Sequence, residues 1–253
     1  MNMFPLGDDN EGARGLPVMT VVLIILNVLV FLYEMTLDPA QGGELEKFIR
    51  QYGVIPAEIQ HGQDWFTLIT SMFVHGGLAH IGGNMLFLWV FGDNIERRWG
   101  SLLFVVVYFG TGLAASLAHI AFNSGSEIPS VGASGAISGV LGAYILLYPM
   151  NRIRVLLGYF VTAVPAFLFL GIWFMSQLIN GLATLGPETA QTSGVAVWAH
   201  IGGFVAGASA ASALRGGEYG ASIRAVAKLA AVARPQQGRF RWPFLVLHDT
   251  INL

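Results

Sequence analysis

A serine flanked by small residues, in Gly132-Ala133-Ser134-Gly135, stands near the start of the apolar run V-G-A-S-G-A-I-S-G-V-L-G-A-Y from Val131 to Tyr144. A hydroxyl there is poorly suited to packing and well suited to chemistry, provided that a base takes its proton. A candidate base lies downstream, where W-A-H-I-G-G-F-V-A-G from Trp198 to Gly207 opens a second glycine-rich run on His200. A third group, H-I-G-G-N, sets His80 and Asn84 four residues apart and so on one face of a helix. Side-chain donors there, together with the backbone N–H of Ser134 at a helix N-terminus, could stabilise a tetrahedral oxyanion.

These residues sit in a chain of 253 residues that is 54% hydrophobic and only 11% charged. Soluble domains carry about a quarter charged residues, so the composition is that of a polytopic membrane protein. Cysteine is absent, which excludes disulfides, thiol catalysis and thiolate metal sites. The N-terminal M-N-M-F-P-L-G-D-D-N-E-G-A-R has an acidic cluster and no basic n-region, which argues against a secretory or transit peptide.

Six apolar runs provide the elements that must position the chemistry. They cover about Pro17–Leu37, Leu78–Phe91, Ser101–Phe122, Ser134–Pro149, Val155–Ile179 and Val195–Leu214. Residues 38–77, with Leu45, Phe48, Ile49, Tyr52, Ile55 and Ile59 near helical spacing and Trp65 and Phe66 beyond, read as an amphipathic loop in the bilayer surface. The expected organisation is an N-terminal cytoplasmic segment (1–16), a six-span domain (17–214) and a basic cytoplasmic tail (215–253). That tail includes a possible amphipathic helix at Ala221–Arg234 and an aromatic end at Trp242–Leu247. Of the 13 Lys and Arg residues, all but Lys47 and Arg50 fall on the side that holds both termini. The positive-inside rule therefore makes that side cytoplasmic.

At about 1.5 Å per residue, Ser134 lies roughly 22 Å from Pro149 and His200 roughly 21 Å from Leu214, while His80 and Asn84 lie roughly 18 to 24 Å from Glu96. One layer holds all four, below the outer surface of a hydrocarbon core about 30 Å thick. The short fourth span makes the polar loop of residues 123–133 dip inward. Ser134, Ser138 and Gly142 share one helix face, and His200, Gly203 and Gly207 share another. Small residues let membrane helices approach closely, so these two faces are expected to meet.

Taken together, G-A-S-G (Gly132–Gly135), A-H-I-G-G-F-V-A-G (Ala199–Gly207), H-G-G-L-A-H-I-G-G-N (His75–Asn84) and the G-D-N-I-E-R-R-W-G segment resemble the rhomboid family of intramembrane serine proteases, over all six spans. The resemblance implies an all-α, six-helix bundle in which Ser134 is the nucleophile and His200 the base of a dyad without a carboxylate. It also implies that His80 and Asn84 form the oxyanion site. No Asp or Glu lies near His200 on the sixth span. One departure stands out, because Ser138 occupies the position one turn after the serine, where well-known members often carry an aromatic ring against the histidine.

Each feature has a blander reading when taken alone. G-x-S-G is common in helix contacts, and a soluble nucleophile elbow would need a preceding strand, which is not visible here. His75 is read either as a residue holding the loop above the site or as a catalytic participant. His119 is read as structural, and His61 and His248 have no convergent partner. Glu96, Arg97 and Arg98 are read as a helix-end network and topology signal, and the tail as solvated or lipid-contacting. Zinc is not expected, since no H-E-x-x-H or carboxylate ligand appears. The residues and the resemblance thus point to a protease of the bacterial inner membrane that needs no cofactor or metal, contacts lipid and binds no nucleic acid, and the resemblance implies single-span membrane proteins as substrates. A non-proteolytic rhomboid-like binding or quality-control factor is the competing reading, ahead of a small-solute transporter. A transporter would favour inverted repeats and helices broken at the midplane.

Overall fold

A computed structural model describes residues 3–9, 16–184 and 196–216. Chain contacts divide the protein into Met1–Ala213 and Leu214–Leu253. Nearly all of the second unit, including the expected tail helix, the aromatic end and His248, lies outside the described residues, as does most of the loop expected before the last span. Among the described residues the elements run β1 (Met3–Asp8), α1 (Val18–Glu34), α2 (Glu44–Tyr52), α3 (Pro56–Gln60), α4 (Thr67–Thr70), α5 (Leu78–Trp99), α6 (Ser101–Phe122), α7 (Ser134–Leu147), β2 (Arg152–Leu157), β3 (Phe160–Pro165), α8 (Ala166–Ala183) and α9 (Val197–Gly216). Among the described residues three helices are long and apolar enough to cross a membrane, at Ser101–Phe122, Ala166–Ala183 and Val197–Arg215. Two shorter apolar helices, α1 and α7, accompany them.

Helix α7 is the axis of the fold. Every residue from Gly135 to Tyr144 is buried, as expected of a helix that is apolar on all sides and enclosed by others. Around it pack Leu88, Phe91 and Ile95 of α5, Phe104 and Tyr108 of α6, Phe169 and Leu170 of α8 and Phe204 of α9. Its contact with α9 is backbone on backbone. A Cβ placed on Gly142 would lie 2.0 Å from the Phe204 carbonyl oxygen, and one on Gly207 would lie 1.8 Å from that of Gly139. Only glycine fits at such a crossing, which is the close approach expected of small-residue membrane interfaces.

The other end of the bundle is tied by Glu96 near the end of α5. Its carboxylate accepts hydrogen bonds from the N–H groups of Met19 and Thr20 (2.9 and 2.8 Å), from the Thr20 hydroxyl (2.8 Å) and from the Ser101 hydroxyl (2.5 Å). Since the first amides of a helix have no intrahelical acceptor, Glu96 caps α1 from a different helix while also meeting the start of α6.

Two expectations require correction. Helices dominate, but the domain is not all-α: β1, β2 and β3 form a three-stranded antiparallel sheet in that order. The segment expected as the first part of a span from Val155 is instead a hairpin, and α8 begins only at Ala166. Residues 152–155 alternate exposed and buried, with Ile153 and Val155 fully inside, and this period of two belongs to a strand. Gly158 and Tyr159 make the turn, and Pro165 ends β3 immediately before the helix. The N-terminal segment supplies β1, pairing Met3 with Leu157 and Asp8 with Ile153.

Candidate active site

Four elements bring the chemistry together. The loop before α7 is anchored by the Gly132 N–H donating to the Ser71 carbonyl at 2.8 Å. At Gly132, φ is +121°, a conformation that favours glycine. A Cβ there would also stand 2.7 Å from the His80 ring. Ser134 is the first residue of α7, so its N–H is among those that no carbonyl within the helix can take. Its Oγ lies 2.8 Å from Nε2 of His200 on α9.

Ser134, His200, His80 and Asn84 all line one cavity of about 620 Å³, whose apolar wall includes Phe87 and Leu141. The His80 Nδ1 accepts the Gly76 N–H at 3.3 Å. In a neutral ring the proton must then sit on Nε2, which makes that nitrogen a donor. Asn84 is buried, and its Nδ2 has no hydrogen-bond partner. Buried donors are nearly always paired, so this one keeps an unused hydrogen in a residue that lines the cavity. Behind the serine, Ser71, Ser116, His119 and Ser130 help to line a second cavity of about 30 Å³. A polar space of that size suits about one water molecule.

Residues 62–216 match the Rhomboid domain family. The chain belongs to the rhomboid family. It is 30% identical over 223 residues to rhomboid protease GluP of Bacillus subtilis (strain 168), an alignment covering 87% of this chain and 40% of that protein. With Rhomboid protein 1, mitochondrial, of Saccharomyces cerevisiae it shares 30% over 172 residues, covering 64% of this chain and 44% of the yeast protein. Rhomboid protease AarA of Providencia stuartii is 27% identical over 230 residues, with 82% and 76% covered. The chain therefore spans less than half the length of the Bacillus and yeast relatives. Rhomboid membership and the apolar helices make it a multi-pass membrane protein.

Within this rhomboid domain the remaining histidines divide cleanly. The His75 N–H donates to both carboxylate oxygens of Glu34 at 3.1 and 3.2 Å, and its ring packs edge-on against His80 with centroids 5.1 Å apart. Burial, reinforced by the neighbouring His80, pushes His75 down to about 4, so its ring is neutral near pH 7. The bond to Glu34 is made by the His75 backbone, and His75 is not among the residues that line the large cavity. His119 receives the Asn123 amide at the end of α6 and faces the small cavity.

Two residues near His200 were not singled out by the sequence. Gln177 of α8 places Oε1 2.8 Å from His200 Nδ1, and Trp173, one turn earlier, has its ring centroid 5.9 Å from the imidazole. A lone amide inside an apolar span was the available signal, since polar groups at membrane depth are rare and usually have a partner. Ser138 does not face His200 with its hydroxyl, which donates to the Ser134 carbonyl at 2.6 Å.

Proposed function

We propose that this chain is an intramembrane serine endopeptidase that hydrolyses peptide bonds of single-span membrane proteins with Ser134 and His200. The 2.8 Å approach of Oγ to Nε2 inside the large cavity carries the reading. Relatives named rhomboid protease support it. In this mechanism Oγ attacks the scissile carbonyl carbon as its proton passes to Nε2. Negative charge develops on the carbonyl oxygen, where Asn84 Nδ2, the His80 Nε2–H and the Ser134 N–H are the donors available to meet it. Collapse breaks the C–N bond, and the imidazolium returns its proton to the leaving amine. A water, deprotonated by His200, then opens the acyl-enzyme and releases the acid, with the proton going back to Ser134. The small polar cavity behind the serine is the natural source of that water.

Six crossings by α1, α5, α6, α7, α8 and α9 account for the apolar helices, with both termini cytoplasmic in a bacterial inner membrane. A substrate helix must unwind to present its carbonyl, which favours small or helix-destabilising residues at the cleaved bond. Reconstitution in liposomes with a single-span reporter tests the assignment. Ser134→Ala should abolish cleavage while leaving the fold intact, and a fluorophosphonate should label the parent chain at Ser134. Undiminished cleavage by the variant, or labelling elsewhere only, would refute it.

A further inference from the structure

Among the described residues no carboxylate meets the dyad, yet an imidazole serves as base only if its ring is held and its proton sits on the nitrogen away from the serine. Nothing on α7 supplies that support, because Ser138 is turned back onto the Ser134 carbonyl. Helix α8 does face the ring. Resting on the Ser134–His200 reading, we propose that Gln177 is the positioning residue that sets the orientation and tautomer of His200, with Trp173 backing the ring from the same helix.

The direction of each hydrogen bond follows from the next. The Ser176 hydroxyl donates to the Trp173 carbonyl at 2.6 Å, leaving its oxygen free to accept. Gln177 Nε2 donates to that oxygen at 3.1 Å. The amide is thereby fixed with Oε1 toward His200, 2.8 Å from Nδ1. An amide oxygen cannot donate, so Nδ1 carries the ring proton and Nε2 presents its lone pair to the Ser134 hydroxyl. Trp173 lies tilted at 38° to the imidazole and also packs near Phe204, one turn beyond His200 on α9. A neutral acceptor suits this depth, because a carboxylate would bring the desolvation penalty of a buried charge.

The test uses the full chain in liposomes with the single-span reporter, measuring kcat, KM and the rate of fluorophosphonate labelling. Gln177→Leu, which removes the acceptor but keeps bulk, should lower kcat and the labelling rate by roughly 10- to 100-fold with KM unchanged, part of the general-base contribution. Gln177→Glu should recover most of that loss. The acid limb of its kcat profile should move up by about one pH unit, because a carboxylate beside Nδ1 favours the imidazolium. Among the described residues, His80 and His119 are the titratable groups whose charge reaches His200, and both are common to all the proteins compared, so this displacement reports the altered side chain.

A Gln177→Leu kcat within about twofold of the parent, or a loss confined to KM, overturns the proposal. So does a Gln177→Glu variant that neither rescues turnover nor shifts the limb. Should Gln177→Leu fail to fold, the limb of Gln177→Glu decides alone. Persistent cleavage by Ser134→Ala would remove the dyad and this role with it, whereas normal labelling of Ser134 beside an indifferent Gln177 would remove the positioning role only.

Discussion

The two ends of α7 bury polar groups in different ways. At the first residue, Ser134 meets His200 at the wall of a large cavity, beside an Asn84 amide whose Nδ2 has no partner. Near the last turn, Tyr144 donates its hydroxyl to Asp8 and accepts from the Asn151 amide at 3.3 Å, while Asn94 donates to the same Asp8 oxygen at 2.8 Å. One end keeps a buried donor unpaired in a residue that lines open volume. At the other end, donors converge on a single carboxyl that ties β1 to α5 and α7. Asp8 still has one oxygen, Oδ1, without a partner, and burial raises its pKa against the lowering effect of the Tyr144 and Asn94 hydrogen bonds. The cost of burial is thus offset at one end by hydrogen bonds to Asp8 and left unmet at the Asn84 donor of the other.

If this contrast holds, substitutions at the two ends should separate turnover from stability. Asn84→Ala should lower kcat by about 10²-fold, as loss of one oxyanion donor does, with thermal stability close to that of the parent. An effect on KM alone would contradict its assigned role. Tyr144→Phe should do the converse. Leaving the Asp8 and Asn151 groups short of a partner is expected to reduce unfolding free energy by about 1–3 kcal/mol, read from denaturant titration in detergent, with turnover per folded molecule unchanged.

The smallest effect is expected from Asp8→Asn, which keeps an oxygen acceptor but cannot ionise. A carboxyl held above its ordinary value of 3.8 contributes stability that is complete below that pH and lost as pH rises through the raised value. Melting curves of parent and variant should therefore coincide in acid and diverge toward neutrality, with the variant the more stable. A parent chain that gains on the variant as pH rises would reverse the sign and the reading.

What the sequence disclosed about each end follows the same division. Ser134, His200, His80 and Asn84 announce themselves because short motifs carry them and because helical rise alone brings them to one depth. The structure sets their side chains around one cavity. Helix α6 could be read to its ends, since Gly100 and Asn123 bound an apolar run that holds no Asp, Glu, Lys or Arg. The sheet could not, because an apolar window of about 20 residues averages over a hairpin that alternates with a period of two. Its partner strand, at Met3–Asp8, also lies far away in sequence. Gln177 was hidden for a related reason, since its meaning depends on an imidazole on another helix. Composition and periodicity report local order, and contacts between distant segments need coordinates.

The glycine crossing of α7 and α9 has a consequence for motion. Helices whose backbones touch through Gly139, Gly142 and Gly207 cannot slide past one another without a steric clash, so the serine and the imidazole ride on a single stiff frame. If the chain is the protease proposed above, whatever must yield to admit a substrate belongs to the elements outside that frame.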